Sequence, residues 1–216
     1  MMNKTLDIKF VSDVMCPWCV VGLGNLNKAL AELGDSVTTE MTFEPFELNP
    51  NMPPEGQGFT EHILEKYGIS EEQSVENRAV IKARGKELEF DFNFTDESRM
   101  RNSFDSHRLL HWAQLEGKQA ELKEALFVAH FTQNKDVSDH TILADIAIEV
   151  GLNAEKANAI LASGQFTDEV RQQQSVWQQS GISSVPTVIV NNKYAITGGQ
   201  PVEAFKQALE EIISKE

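Results

Sequence analysis

The run Ser12-Asp13-Val14-Met15-Cys16-Pro17-Trp18-Cys19 decides how this chain is read. Just upstream, Asp7 to Val14 carries Ile8, Phe10, Val11 and Val14, the pattern of a mostly buried strand. Just downstream, Leu23, Leu26, Leu30 and Leu33 recur at helical spacing, and Gly34 stands where a glycine would end that helix. Cys16 therefore falls at a strand-to-helix junction, where unpaired N–H groups and the helix dipole favour negative charge. Thiolate, not thiol, is the reactive form of cysteine. Pro17 suits the first helical turn, which needs no N–H from it. The i, i+3 spacing sets Cys19 one turn inside, within disulfide reach of Cys16. The expected roles are an exposed, attacking Cys16 and a more buried, resolving Cys19.

Bulk properties narrow the classes. The chain has 216 residues, enough for one domain with an insertion or two small ones, and a net charge of −14. That charge argues against a broad face for nucleic acid and against docking to an anionic membrane. No apolar run is long enough to span a bilayer, and the first ten residues, with Lys4, Asp7 and Lys9, lack a signal-peptide core. A cytoplasmic location is the expectation. Only two cysteines occur, three positions apart. A structural disulfide framework or a closed zinc site would use more ligands, spread more widely.

Outward from the cysteines, Val37 to Leu48 reads as a second strand, which predicts a parallel strand-helix-strand crossover. Pro50, Pro53, Pro54, Gly56 and Gly58 then mark a boundary without regular structure. From Phe59 to about Gly164 the signals are helical. Thr60 is placed to cap a helix ending at Gly68, and Ser70 with Gln73 forms a capping box for a helix reaching Gly85. Further helices are expected over Met100–Glu116 and Gln119–Phe131, from Ser138 or Asp139 to Gly151, and after Asn153. Thr167 to Ser180 is a glutamine-rich helix with Val170 and Trp177 inward and Gln172 to Gln174 on a solvated face. A strand over Val185–Val190, a turn at Asn191-Asn192-Lys193 and a returning strand over Tyr194–Thr197 follow. The last helix opens near Pro201 and lines up Val202, Phe205, Leu209 and Ile212. The fold class is α/β: a thioredoxin-like fold (residues 1–58 and 165–216) interrupted by an all-helical insertion domain (residues 59–164).

A second redox element is Val185-Pro186-Thr187. A cis proline there would press against the disulfide and turn the Val185 backbone toward an incoming peptide, which could add as a strand. With both elements placed, the chain resembles the DsbA-like thioredoxin superfamily and, within it, the FrnE-like cytoplasmic branch. The runs Ser12–Cys19 and Val185–Gly199, and Arg101-Asn102-Ser103-Phe104 leading to His107-Arg108-Leu109-Leu110, carry the resemblance. It implies Cys16 as nucleophile, Cys19 as resolving thiol, Pro186 in cis, and exchange of disulfides with protein or small-molecule thiols. Kappa-class glutathione transferases and 2-hydroxychromene-2-carboxylate isomerases share the architecture but use one nucleophilic serine or cysteine with glutathione; two cysteines favour the dithiol branch. In thioredoxin and DsbA a buried carboxylate stands six residues before the nucleophile. This chain has Phe10 there. Proton transfer at Cys19 is then expected through water, Asp13 or Glu44. Pro17-Trp18 matches neither the thioredoxin nor the DsbA dipeptide, so the direction of electron flow is open. Trp18 reads equally as an exposed plate for substrate or as packing against the insertion.

Asp13, Asn102, Ser103 and His107 are further candidates for the cleft, each with a structural role, such as a cap or a satisfied histidine, as the competing account. His107 and His111 have ligand spacing without a third ligand, so no metal is expected. Three functions remain in order: a dithiol–disulfide oxidoreductase or isomerase; a glutathione-dependent transferase or isomerase; and a non-catalytic binding module. No tightly bound cofactor is expected, with glutathione as a co-substrate, a thioredoxin-type recycling system as partner, and a monomer or homodimer as the assembly.

Overall fold

The computed structural model describes residues 4–34 and 37–215. Strand β1 (Lys4–Ser12) is followed by α1 (Pro17–Leu33) and by β2 (Val37–Pro45), which runs parallel to β1 with Phe10 opposite Phe43. On the other side β1 pairs antiparallel with β5 (Thr187–Val190), and β5 with β6 (Tyr194–Thr197). The sheet order is β2-β1-β5-β6. Helix α9 (Val202–Lys215) packs on α1, with Phe205, Leu209 and Ile212 buried. Burial along β1 alternates through Leu6, Ile8 and Phe10 and then becomes continuous at Val11 and Ser12. The alternation belongs to a half-buried strand.

That segment contains α2 (Phe59–Tyr67), α3 (Glu71–Glu87), α4 (Phe104–Leu115), α5 (Gln119–Phe127), α6 (His140–Glu149) and α7 (Ala154–Ala162). Helix α8 (Thr167–Gln179) leads back to β5. A second core, built on Leu109, Trp112, Leu122, Leu126, Leu143 and Ile160, sits within the helices and reaches Val14 and Met15 beside the cysteines. Two long-range locks tie it down. Gln119 accepts from the Phe43 N–H and donates to the Phe43 carbonyl, both at 2.9 Å, and so occupies the outer edge of β2 as a strand would. Buried Arg108 donates to the carbonyls of Gln165, Ile160 and Ser163.

Several local expectations change. Helix α2 begins at Phe59 after Gly58, so Thr60 lies inside it and caps nothing. Helix α4 begins at Phe104 because Arg99–Met100 (β4) pairs with Gln57–Gly58 (β3) in a two-stranded sheet absent from the sequence reading. Such two-residue ladders carry no period that a sequence could show. Gln174 is buried, not solvated: its amide donates to Glu47 Oε2 at 3.0 Å. The Ser70–Gln73 capping box and the Asn153 cap form as read, and of the two candidates Ser138 and Asp139 it is Asp139 that caps α6. Among the described residues, no helix is long and apolar enough to cross a membrane.

Helix α5 runs on into a π turn, Val128–Thr132, that buries His130. Burial holds this imidazole down to about 4 from its ordinary 6.5. The unfolded chain therefore takes up the proton first, so the stabilisation is complete above 6.5 and is lost as pH falls toward about 4. Wild type should lose about 2–3 kcal/mol across that window, and His130→Gln should lose much less. Urea titrations at the two ends of the window measure this; parallel losses in both proteins would refute it.

Candidate active site

Cys16 is the N-cap residue of α1 and Pro17 its first helical residue. The turn into the helix is closed by Cys16 N–H to the Asp13 carbonyl (3.1 Å) and Cys19 N–H to the Cys16 carbonyl (3.0 Å). Both cysteines are free thiols. Cys19 is wholly buried, whereas Cys16 retains 5% of its surface, so the helix tip is less open than the sequence suggests. Burial pushes the Cys19 thiol well above its ordinary 9.0, as do the hydrogen bond and charge of Cys16; Lys123 and the Asp13 backbone pull the other way. Trp18 stays 38% exposed beside the pair.

The Val185–Pro186 peptide bond is cis, and the Cys16 thiol donates to the Val185 carbonyl at 3.6 Å. This approach depends on two glycines. A Cβ on Gly22 would meet Pro186 Cγ at 2.9 Å, and one on Gly199 would meet the Trp18 carbonyl at 3.0 Å. Helix α1 thus sits so close to the proline loop that a side chain at Gly22 would force a shift and one at Gly199 would crowd the Trp18 carbonyl. Asn25 fastens the contact by donating to the Gln200 carbonyl at 2.9 Å.

A cavity of about 750 Å³ opens beside Cys16, between the sheet domain and helices α2 and α3. Cys16, Pro17, Trp18 and Val185 belong to its wall. Asp13, Asn102, Ser103 and His107 are not in that wall. Asp13 lies beneath it, fully buried, accepting from the Met15 N–H (3.1 Å) and the Leu48 N–H (2.7 Å). Burial raises its pKa, but His107 and these two N–H groups outweigh that and hold the carboxyl below its ordinary 3.8. His107 Nε2 faces the Phe46 carbonyl at 3.1 Å and Asp13 Oδ1 at 3.6 Å. Asn102 accepts from the Phe104 N–H, and Ser103 sits at the N-cap position of α4 without a side-chain bond. Asp13, with His107 behind it, braces the Met15 and Leu48 segments of the wall, whereas Asn102 and Ser103 stand at the start of α4. Glu44 is engaged elsewhere, by the Trp177 indole N–H (3.1 Å) and Thr42 (3.3 Å). His111 faces Gln173, and among the described residues no cluster of three metal-ligating side chains occurs.

The profile of the DSBA-like thioredoxin domain matches residues 7–210, a span that holds both cysteines and Pro186. This chain belongs to the DsbA-like thioredoxin family. A probable DsbA oxidoreductase from Streptomyces coelicolor superposes with a TM-score of 0.92 at 31% identity, over 98% of this chain and 91% of that one. An uncharacterized Bacillus subtilis protein, YwbO, is 27% identical over 206 residues, 95% of this chain and 96% of its own. Cytosolic disulfide reductase DsbM from Pseudomonas aeruginosa, solved with GSH, shares the fold at a TM-score of 0.62 and 13% identity, over 96% of this chain and 99% of that one. At the coarse level, membership makes the chain an oxidoreductase of the thiol–disulfide type.

One residue of this DsbA-like site escaped the sequence reading. Phe10, at the position where thioredoxin and DsbA carry a buried carboxylate, packs against Phe43 with ring centroids 5.9 Å apart. The nearby charge comes instead from Lys123, 1% exposed, on the face of α5 that also carries Gln119 and Phe127. Its ammonium lies 4.8 Å from the Phe127 ring centroid, and burial lowers its pKa to about 8 while the charges of Cys19, Asp13 and Cys16 oppose that shift. The available signal was a lysine on the apolar stripe of Leu122, Leu126 and Phe127. A lysine at such a position usually lays its stem on the core and puts its head in water.

Proposed function

We propose that this protein is a dithiol–disulfide oxidoreductase of the FrnE-like branch, acting on peptide or small-molecule disulfides. The observation that carries the reading is the Cys16 thiol at a helix N-cap, 3.6 Å from the carbonyl of a cis-proline loop, with Cys19 buried one turn behind it. In the reducing direction the Cys16 thiolate attacks one sulfur of the substrate disulfide, and the other sulfur leaves as a thiolate. A mixed disulfide results. Cys19, once deprotonated, attacks Cys16 Sγ, releases the second substrate thiol and closes the Cys16–Cys19 disulfide. The oxidising direction is the reverse. Val185 offers backbone groups for an extended substrate, and Trp18 offers a half-exposed ring.

Cys19→Ser should halt the cycle at the mixed disulfide. Incubated in reduced form with insulin, this variant should accumulate a covalent adduct on Cys16, read by intact-mass spectrometry, while wild type accumulates none. A reduced Cys19→Ser protein that stays free of adduct would overturn the assignment. The size of the cavity beside Cys16, though not its apolar wall, suits a second reading, a glutathione-dependent transferase or isomerase; it requires glutathione binding by calorimetry at millimolar ligand.

A further inference from the structure

Four polar atoms are buried without a hydrogen-bond partner among the described residues: Glu47 Oε1, Asn49 Nδ2, His62 Nε2 and Ser74 Oγ. All four residues line the cavity beside Cys16. They come from three separate elements, the β2–β3 connection, α2 and α3. Buried polar groups in folded proteins are almost always paired, so four unpaired atoms on residues that line one cavity set its wall apart from the rest of the core.

Their hydrogen-bonding roles follow from the partners already made. Gln57 Nε2 donates to Glu65 Oε2 at 2.7 Å, which turns Gln57 Oε1 toward His62 Nδ1 at 2.6 Å. Nδ1 therefore carries the proton. Burial and the Lys66 charge keep the ring below its ordinary 6.5, so Nε2 presents a lone pair. Asn49 Oδ1 accepts from Lys66 Nζ at 2.6 Å and leaves its Nδ2 as a donor. Glu47 Oε2 is taken by Gln174 and Arg171, which leaves Oε1 as an acceptor. Arg78, one turn beyond Ser74 on α3, lines the same cavity with no hydrogen bond or ion pair on its guanidinium among the described residues. Phe46, Phe59, Ile63, Ile81 and Met100 make the apolar part of the wall.

We infer that the cavity binds a low-molecular-weight disulfide or thiol with an apolar body and an anionic head, its sulfur at Cys16 and its head at Arg78. The inference rests on the Cys16 chemistry proposed above and narrows its substrate. A volume of about 750 Å³ takes a molecule of that size. The apolar wall favours a ring or hydrocarbon body over a wholly polar peptide thiol such as glutathione. With the protein in reduced form, Cys16 attacks the ligand disulfide, one ligand thiolate departs, and Cys19 displaces the second. Two electrons pass from the protein dithiol to the ligand, and the two thiol protons go to buffer.

The test is single turnover of reduced protein against four disulfides: a nitrobenzoate disulfide (aryl and anionic), a dipyridyl disulfide (aryl and uncharged), oxidised glutathione, and a small hydroxyethyl disulfide. Arg78→Met should cut the nitrobenzoate-to-dipyridyl rate ratio by about tenfold or more, since an anion then loses its charge-assisted partner. Ile63→Trp, a filling change at a half-buried position, should lower both aryl rates relative to the hydroxyethyl rate by a similar factor. An unchanged ratio in Arg78→Met overturns the anionic head. Unchanged ratios in both variants leave a water-filled cleft only. A stronger Arg78 dependence with oxidised glutathione than with the nitrobenzoate disulfide overturns the apolar body. If wild type reduces none of the four, it is the oxidoreductase reading that fails.

Discussion

Cys16→Ser is expected to lower disulfide exchange by roughly 10³-fold or more, the scale seen when a covalent nucleophile is removed. A hydroxyl does not ionise near neutral pH, and oxygen cannot take the place of sulfur in a disulfide. The substitution should leave the fold intact. Cys16 keeps only 5% of its surface, serine is smaller by little, and its hydroxyl can still donate to the Val185 carbonyl as the thiol does. Loss of insulin reduction with an unchanged melting temperature is therefore the expected pair of results. A variant that keeps its rate would place the chemistry elsewhere; a variant that loses rate and melting temperature together would point to collapse of the loop.

Lys123→Met should make the protein more stable and its resolving step slower. The ammonium is buried, and the nearest aromatic contact, 4.8 Å from the Phe127 ring, does not replace its water. The pKa falls from 10.5 to about 8, so below about 8 the folded chain carries the full cost of the buried charge, and the cost fades as pH rises toward 10.5. Methionine has similar length and no charge. Its gain at neutral pH should be about 3 kcal/mol, vanishing at high pH. The rate effect has the opposite sign. Lys123 is the cation that favours the Cys19 thiolate against the burial that disfavours it. Its loss should slow decay of the Cys16 mixed disulfide by roughly tenfold or more. Guanidinium titrations at neutral and high pH, with stopped-flow decay of a preformed mixed disulfide, read both effects. A destabilised variant with an unaltered decay would remove Lys123 from the site.

Much of this was legible along the chain. The cysteine pair was readable because its signal is local: a strand, two thiols three apart and a helix, all within one short stretch. The capping box at Ser70–Gln73 and the caps at Asp139 and Asn153 were readable for the same reason. Asp13 and His107 were visible as residues but not as a pair, since they meet only when α4 is laid under the Cys16 turn. Gln174 read as surface because a glutamine on a polar helix face gives no hint of Glu47 opposite it.

By itself the sequence determined the vicinal cysteine pair, the strand-helix-strand frame that presents it, and the proline placed to face it. Those depend on residue type and on neighbours a few positions away. Only the tertiary structure decided what surrounds the pair. It packed Phe43 against Phe10, brought Lys123 in from α5, and gathered Glu47, Asn49, His62, Ser74 and Arg78 around one cavity. The physical reason is that burial is not a property of a residue. A lysine, a histidine or a serine is an ordinary surface group until distant elements exclude water from it, and the chemistry of this site depends on that exclusion.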